Sequence, residues 1–160
     1  MHRLGQLWAA GELSMASEHL ATEVCKQRLL SMLQLTAPDA QAPLLLCACP
    51  QGEWHELGLL TYAYNMQCQG WQICYLGPNL PVREVLYGCQ HLQPRRVALS
   101  LTYVDEISHG LSLVQEIEAL IAATYPTFIG GQAVERFLHL LPLGQAHLPS
   151  YGLAQAALHD

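Results

Sequence analysis

Charged side chains are scarce in this chain. Asp, Glu, Lys and Arg make up 12% of the 160 residues, which is about half the charged share of an ordinary globular protein. Seven basic residues stand against thirteen acidic ones, giving a formal charge of -6, and Lys26 is the single lysine. Binding of nucleic acid needs clustered cations, so we expect no direct nucleic-acid binding by this chain. Hydrophobic residues make up 51%, so we expect a neutral surface that lies against a protein partner or a second copy.

Long apolar runs and paired cysteine motifs are also missing. No window approaches the roughly 18 consecutive apolar residues of a membrane span. Glu12 and Glu18 interrupt the stretch where a signal peptide would be apolar. We therefore expect a cytoplasmic protein without a membrane segment. The six cysteines include no CxxC pair, and we interpret them as reduced, buried small hydrophobic residues rather than as disulfides or a zinc site.

The N-terminal part of the chain has a helical pattern. A first helix is expected to end at Gly11, and a second to begin near Ser14, whose hydroxyl can accept from the free amides of the first turn. Residues 36–43 contain two prolines and no apolar period, which is typical of a linker. The predicted organisation is a partial helical cap (1–35), this linker, and a ligand-binding α/β domain (44–160).

From residue 44 onward, apolar runs alternate with helical periods. Leu44–Cys49 is apolar throughout, as expected of a strand that is buried on both faces of a parallel sheet. The alternation predicts a doubly wound α/β fold with a parallel sheet in flavodoxin-like order. Gly77–Pro81 is interpreted as a turn, and Trp54 and Trp71 as packing groups. The predicted strands are Leu44–Cys49, Trp71–Leu76, Val97–Leu101, Thr127–Ile129 and Ala146–Leu148, and the predicted helices are His55–Gln69, Pro81–Leu92, Ile107–Ala123 and Gln132–Leu140.

Ligands of doubly wound sheets bind beyond the carboxyl ends of the strands. In this chain the rule selects the loops 50–58, 100–105 and 130–131. The first loop contains His55, with Glu53 two residues before it. Such a histidine can be a general base, a metal ligand whose second ring nitrogen is held by the carboxylate, or a cap of the following helix. The residues alone leave these three interpretations open.

The three loops carry a spaced set of residues, separated by 41 and then 27 positions: Glu53-x-His55-x-x-Gly58, Ser100-x-Thr102 and Gly130-Gly131. The pattern resembles the DxHxxG, SxT and GG motifs of cobalamin-binding domains that hold the corrinoid base-off and His-on, with Glu in place of the usual Asp. Three motifs in order, each at a predicted strand end, are far more specific than any one of them alone.

The resemblance implies a role for each of these residues. His55 would be the lower axial ligand of cobalt, with Glu53 holding its other ring nitrogen. Ser100 would hydrogen-bond the benzimidazole of the cofactor's nucleotide tail, and Thr102 would line the slot that receives this tail. The paired glycines would let the backbone approach this nucleotide, and Gly58 would have the same permissive role at the helix start.

A second resemblance concerns the helical cap. Trp8 is followed after nine residues by Glu18-His19, a combination similar to the cap of light-sensing cobalamin regulators of the CarH/LitR type. The resemblance implies that Trp8 shields the upper cofactor face and that Glu18 bonds to the adenosyl group. His19 would capture the cobalt after light breaks the cobalt–carbon bond. Without the cobalamin motifs, a core tryptophan and a solvated Glu-His pair would be the simpler interpretation.

Together the resemblances imply a cobalamin-binding sensor or photoreceptor module rather than an enzyme, with adenosylcobalamin as the expected cofactor and methylcobalamin as the second choice. It would regulate transcription through a protein partner or a separate DNA-binding domain. Complete sensors of this family have a four-helix cap and a MerR-like head, so we expect either a fragment or a site completed by a partner. Two alternatives stay open: a corrinoid carrier subunit of a methyltransferase, and a B12-type domain with a structural role.

Overall fold

The structure is a computed structural model that describes residues 14–35, 39, 41–103, 107–122 and 124–137. Strands and helices alternate after an N-terminal helix, as predicted. The last predicted strand, Ala146–Leu148, and the first predicted helix lie outside the described residues. The strands are β1 (Leu44–Pro50), β2 (Gln72–Leu80), β3 (Arg96–Ser100) and β4 (Thr127–Gly130), and the helices are α1 (Met15–Leu35), α2 (Leu57–Cys68), α3 (Val82–Leu92), α4 (Ile107–Ile117) and α5 (Gln132–Phe137), with a π-helical turn at Glu118–Ala122.

The four strands form one parallel sheet in the order β2-β1-β3-β4. This is the order of the first four strands in flavodoxin-like folds, and the predicted fold class is confirmed. Because all strands are parallel, their carboxyl ends meet at one edge, which we call the carboxyl edge. The opposite side, where the strands begin, is the amino edge.

β1 lies at the centre of the sheet, and its side chains from Leu45 to Cys49 are fully buried. Side chains of a strand point alternately to the two faces. Leu46 and Ala48 accordingly pack in the cluster formed with α3 and α4, whereas Leu45, Cys47 and Cys49 pack in the cluster formed with α2. Helices therefore cover both faces of the sheet, which explains why this strand reads as a continuous apolar run.

β2 is longer than predicted, and the predicted turn at Gly77–Pro81 is wrong. The strand continues to Leu80 and pairs with β1 through two register shifts, at Ala48 opposite Gly77 and at Pro50 opposite Leu80. Asn79 has a φ of 55° within this stretch. Residues that favour turns here produce bulges in a strand instead, because the pairing with β1 continues on either side of them.

α1 begins where the sequence predicts, since the Ser14 hydroxyl accepts a hydrogen bond from the Ser17 amide at 3.1 Å. Lys26 contacts Glu56 just before α2, and the Leu33 carbonyl accepts a bond from Gln67 near the end of α2. The two helices therefore lie side by side and run in the same direction. Because α2 starts at the carboxyl edge, the part of α1 before Lys26 extends beyond that edge, by about 16 Å for eleven residues at 1.5 Å each.

The predicted helix from Ile107 to Ala123 changes character along its length. It is an α-helix to Ile117 and widens into the π-helical turn at residue 118. Ile117 and Ile121, four residues apart, are both fully buried in the same cluster.

Across the described residues, no helix combines the length and the apolar character needed to cross a bilayer.

All six cysteines are described, and each is a free thiol. Burial raises the pKa of the Cys49 thiol to about 12 and of the Cys89 thiol to about 11, which keeps both protonated and unreactive. Cys68 at the end of α2 is exposed. The interpretation of every cysteine as a buried residue is therefore wrong for Cys68.

Candidate functional site

Glu53 is fully buried in the loop between β1 and α2. Its Oε1 accepts the His55 backbone N–H at 2.6 Å and lies 2.8 Å from His55 Nδ1. Its Oε2 accepts the backbone N–H groups of Thr102 and, at 2.8 Å, of Tyr103. Four donors of this kind offset the cost of burying a carboxylate. One side chain thus ties the loop after β1 to the loop after β3.

The contact with Glu53 fixes the orientation and the tautomer of His55. An ionised carboxylate only accepts hydrogen bonds, so Nδ1 carries the proton and Nε2 of the neutral ring keeps its lone pair. The histidine side chain is 61% exposed, and none of the described residues bonds to Nε2. The N-cap of α2 is Glu56, not His55, so the capping interpretation is not supported. The geometry is that of a nitrogen ligand held ready on the solvent side.

Asn79 of β2 also holds the loop between β1 and α2 in place. The Gly52 N–H donates to Asn79 Oδ1 at 2.9 Å, and the Asn79 N–H donates to the Glu53 carbonyl at 3.0 Å. Asn79 can do both because asparagine tolerates the left-handed backbone that turns its amide toward the loop. Sequence reasoning missed this residue, although an asparagine after Gly-Pro at a strand end was an available signal.

The loops after β3 and β4 meet beside Glu53. Ser100 is buried and pairs in register with Gly130. Gly131 has a φ of +111°, and a Cβ on it would lie 2.3 Å from the Leu101 carbonyl oxygen. The chain itself therefore requires a glycine at 131, a reason different from the expected approach of a nucleotide, which stays a prediction. Thr102 is half-buried and reaches the site through its backbone amide.

A cleft opens at the carboxyl edge between the loops after β1 and β3 and the helix α4. Glu53 forms its polar wall, and the remaining lining residues are Gln51, Gly52, Leu101, Tyr103, His109 and Leu113. Its position is where the sequence predicts a slot for a nucleotide tail. His109 was not among the predicted site residues, because a single histidine one turn into a helix carries no motif.

The surface around His55 is open and partly aromatic. Trp54 is 65% exposed and Tyr103 57% exposed, and the Tyr103 ring centre lies 6.0 Å from that of His55. The prediction of Trp54 as a packing group is wrong. A Cβ added to Gly58 would meet nothing within 4 Å, so this side of α2 leaves room for a ligand. Exposed aromatic faces beside an available nitrogen suit a flat, largely apolar ligand with a metal at its centre.

The predicted cap residues lie on the part of α1 that extends beyond the carboxyl edge. Glu18 Oε1 accepts a hydrogen bond from the Thr22 hydroxyl at 2.8 Å, and His19 is exposed. The structure does not bring Glu18 or His19 into contact with the described residues of the His55 loop. Trp8 lies outside the described residues.

The described residues contain no group of three or more His, Cys, Asp and Glu side chains that could hold a metal ion by themselves. A lone imidazole is a weak site for a free ion. It is sufficient for a cobalt ion whose in-plane ligands come from a corrin ring. The donors among the described residues therefore fit a corrinoid.

Comparisons by sequence relate the chain to known proteins. The family model of the B12 binding domain matches residues 1–30, the segment that contains the predicted cap residues. The HTH-type transcriptional repressor CarA of Myxococcus xanthus is 32% identical over 127 residues, which cover 79% of this chain and 43% of CarA. The HTH-type transcriptional repressor CarH of the same organism is 28% identical over 130 residues, which cover 81% of this chain and 43% of CarH.

Two solved structures share the fold. The monomethylamine corrinoid protein of Methanosarcina barkeri has a TM-score of 0.64 at 17% identity, covering 96% of this chain and 75% of that one. The methanol:cobalamin methyltransferase complex MtaBC of the same organism has a TM-score of 0.56 at 18% identity, covering 89% and 57%. At these identities the likeness shows a common fold.

The chain shares its fold with the monomethylamine corrinoid protein. The resemblance inferred from the motifs is confirmed, because the chain is homologous to the CarA and CarH repressors of Myxococcus xanthus. It spans 43% of the length of each of these relatives. The match to the family model of the B12 binding domain supports cobalamin binding.

Proposed function

We propose that the chain is a cobalamin-binding sensor module that takes part in regulating transcription through a protein partner or a further domain. The proposal rests on the exposed His55 side chain. Its Nδ1 is bonded to the buried Glu53, which orients the ring and leaves Nε2 available to a ligand. The homology to repressors supports the regulatory part.

His55 is the residue that would hold the cobalt from below. Glu53 keeps the ring in one tautomer and makes Nε2 more basic, because its carboxylate attracts the proton on Nδ1. When bound, adenosylcobalamin would supply a cobalt–carbon bond that light can break. The function of the lower residues is therefore to present one nitrogen in a fixed direction.

The carboxyl edge offers surfaces for the remaining parts of the cofactor. Trp54 and Tyr103 would cover apolar parts of the corrin rim, beside Gly58, where no side chain projects. The nucleotide tail would enter the cleft next to Glu53. The residues that we assign to this tail are Ser100, Thr102, Gly130 and Gly131.

The extended part of α1 would form one side of the upper face. Trp8 and Glu18 are assigned to the upper ligand, and His19 to the nitrogen that approaches cobalt once that ligand has left. A shift of α1 would then be the output, since a regulator needs an element with two alternative positions. The exposed Leu20 and Val24 on the same helix give such a shift an apolar surface to present to a partner or a second copy.

Titration of the cofactor-free protein with adenosylcobalamin in the dark tests the binding step. We expect binding with the absorption spectrum of a base-off, histidine-ligated cobalamin, and loss of tight binding or a base-on spectrum in His55→Ala. His91→Ala is the matched control, because His91 is exposed on α3 and bonds to the Tyr87 carbonyl of its own helix. Equal affinity and an unchanged spectrum in His55→Ala would contradict the assignment.

Illumination tests the sensor step against the methyl-carrier alternative. After green light, the wild type should acquire the spectrum of cobalt with two histidine ligands, and His19→Ala should bind normally in the dark but fail to acquire it. A wild-type product with water as upper ligand, identical to that of the variant, would favour a methyl carrier. In that case we expect methylcobalamin to bind as tightly as adenosylcobalamin.

A further inference from the structure

A three-residue cluster connects α1 to the loop that carries His55. Lys26 Nζ on α1 lies 2.5 Å from Glu56 Oε1, and the Tyr75 hydroxyl on β2 donates a hydrogen bond to Glu56 Oε2. We call Lys26, Glu56 and Tyr75 the Glu56 clasp. The two oxygens of one carboxylate thus join the helix, the loop and the sheet.

The clasp is shielded enough to be strong. The Glu56 side chain is 8% exposed and that of Lys26 28% exposed, so water screens the pair less than it screens a surface ion pair. The hydrogen bond that Lys26 donates to Glu56 raises the pKa of Lys26 against the opposing effect of burial, and the lysine stays charged. Burial and the bond to Glu56 raise the pKa of Tyr75, so its hydroxyl remains a donor.

The clasp is also placed where the two parts of the proposed site join. Glu56 follows His55 directly in the chain and accepts the Leu60 amide in the first turn of α2 at 2.9 Å. Lys26 is eight residues after Glu18 on α1, about 12 Å along the helix axis. A movement of the His55 loop therefore acts on Lys26 through a single peptide bond and one ion pair.

α1 also packs against α2. None of its described residues is fully buried, and its last turn is held by the bond from Gln67 to the Leu33 carbonyl at 2.9 Å and by packing of the Leu33 side chain against the core cluster that includes Leu45 and Ala63. This second bond lies far from the carboxyl edge. Lys26 thus ties α1 to the carboxyl edge, at the point where the extended part of the helix begins.

We propose that Glu56 is a positioning residue that fixes α1 relative to the His55 loop, so that the two move together. The proposal rests on the proposed function where it assigns the movement to the state of the cofactor. The holding of α1 itself is a property of the protein without cofactor, and it can be tested separately.

Hydrogen exchange in the cofactor-free protein tests the holding of α1. Lys26→Met should make the amides of α1 exchange about tenfold faster, since a charged hydrogen bond is lost, while those of β1 and β3 stay unchanged. Lys26→Arg should restore the wild-type rates. Arg28→Met is the matched control, because Arg28 is an exposed cation on the same helix and forms no ion pair with the described residues. Unchanged α1 rates in Lys26→Met, or an equal effect in Arg28→Met, would overturn the proposal.

The single lysine makes the coupling measurable in the loaded protein. An N-hydroxysuccinimide acetate ester acylates the free amine of Lys26 and releases N-hydroxysuccinimide, and mass spectrometry of the peptide gives the rate. With adenosylcobalamin bound, we expect illumination to change this rate at least threefold in the wild type. In Glu56→Gln, Lys26 should be acylated faster than in the wild type already in the dark. Illumination should change its rate by less than threefold.

Two outcomes separate this proposal from the proposed function. If the wild type binds cobalamin and its Lys26 acylation rate is the same in the dark and after light, the coupling is wrong while the cofactor assignment stands. If the wild type binds no cobalamin, the proposed function is wrong, and the exchange rates of the cofactor-free protein alone decide whether the clasp holds α1.

Discussion

Aromatic side chains differ in their surroundings at the two edges of the sheet. At the amino edge, the Arg96 guanidinium lies 5.3 Å from the Trp71 ring centre and 5.2 Å from that of Phe128, between two rings. At the carboxyl edge, Trp54 and Tyr103 are mostly exposed. The rings at the amino edge contact a cation of the chain itself, whereas Trp54 and Tyr103 at the carboxyl edge are left exposed.

We interpret this difference as a division between residues that stabilise the fold and residues that we propose contact a ligand. A stacked cation contributes to folding whether or not a ligand is bound. An exposed ring contributes little to folding and gains contacts only on binding. Variants of the stacked cation at the amino edge should therefore lower stability without changing cobalamin affinity, and variants of the exposed rings at the carboxyl edge should lower affinity without changing stability.

The largest effect is expected at Gly131. Gly131→Ala should lower the free energy of unfolding by about 3 kcal/mol, because the backbone is left-handed and the new Cβ would overlap the Leu101 carbonyl. Gly58→Ala should leave stability unchanged or slightly higher, since its Cβ enters open space, and should weaken cobalamin binding. Denaturant unfolding measures the stability of both variants, and cobalamin titration measures their affinity. Equal stability losses in both variants would contradict the distinction.

The next effect concerns the buried carboxylate. Glu53→Gln should lower the free energy of unfolding by about 2 kcal/mol, because an amide group would face backbone N–H donors that need an acceptor. It should also leave His55 free to rotate. The measurement is chemical denaturation, with the hydrogen-exchange rates of the Thr102 and Tyr103 amides as the local control. Unchanged protection of these two amides would show that Glu53 does not join the loops.

The aromatic pairs provide the direct contrast between the edges. Arg96→Ala should lower the free energy of unfolding by about 1.5 kcal/mol through the loss of both ring contacts, without changing cobalamin affinity. Trp54→Ala should change stability by less than about 0.5 kcal/mol and weaken binding about tenfold. If the two variants show the same profile, the comparison of the edges fails.

The smallest effect is expected at Asn79. Asn79→Gly keeps the left-handed backbone but removes the acceptor for the Gly52 amide, and should lower the free energy of unfolding by about 1 kcal/mol. Asn79→Asp keeps an oxygen in the same position and should stay close to the wild type. Thermal melting compares them. A melting temperature of Asn79→Gly equal to that of Asn79→Asp would remove Asn79 from the support of the His55 loop.

The sequence predicts local features of this molecule well and long-range ones poorly. The continuous apolar run of Leu45–Cys49 and the Ser14 cap depend on neighbouring residues and are confirmed. The pairing of Glu53 with His55, two residues apart, was also predicted, and the structure has it. The functional assignments made from the motifs stay predictions.

Contacts between distant residues were outside the reach of sequence patterns. Lys26 and Glu56 are thirty residues apart and belong to no common periodicity, so nothing in the sequence indicates their ion pair. The same holds for the backbone of Leu101 against Gly131. The predicted turn at Gly77–Pro81 was wrong for a related reason. Local residue preferences favour a turn there, but pairing with the distant strand β1 keeps the segment in the sheet.

We propose that His55 is the protein nitrogen that would bind the cobalt of the cofactor. Electron paramagnetic resonance of the cobalt(II) form tests it directly, because the unpaired electron couples to the lower axial nitrogen. With uniformly ¹⁵N-labelled protein and unlabelled cobalamin, we predict the two-line splitting of a ¹⁵N nucleus, against three lines with unlabelled protein. Three lines in the labelled protein would show that the cofactor keeps its own benzimidazole on cobalt, and would contradict the account.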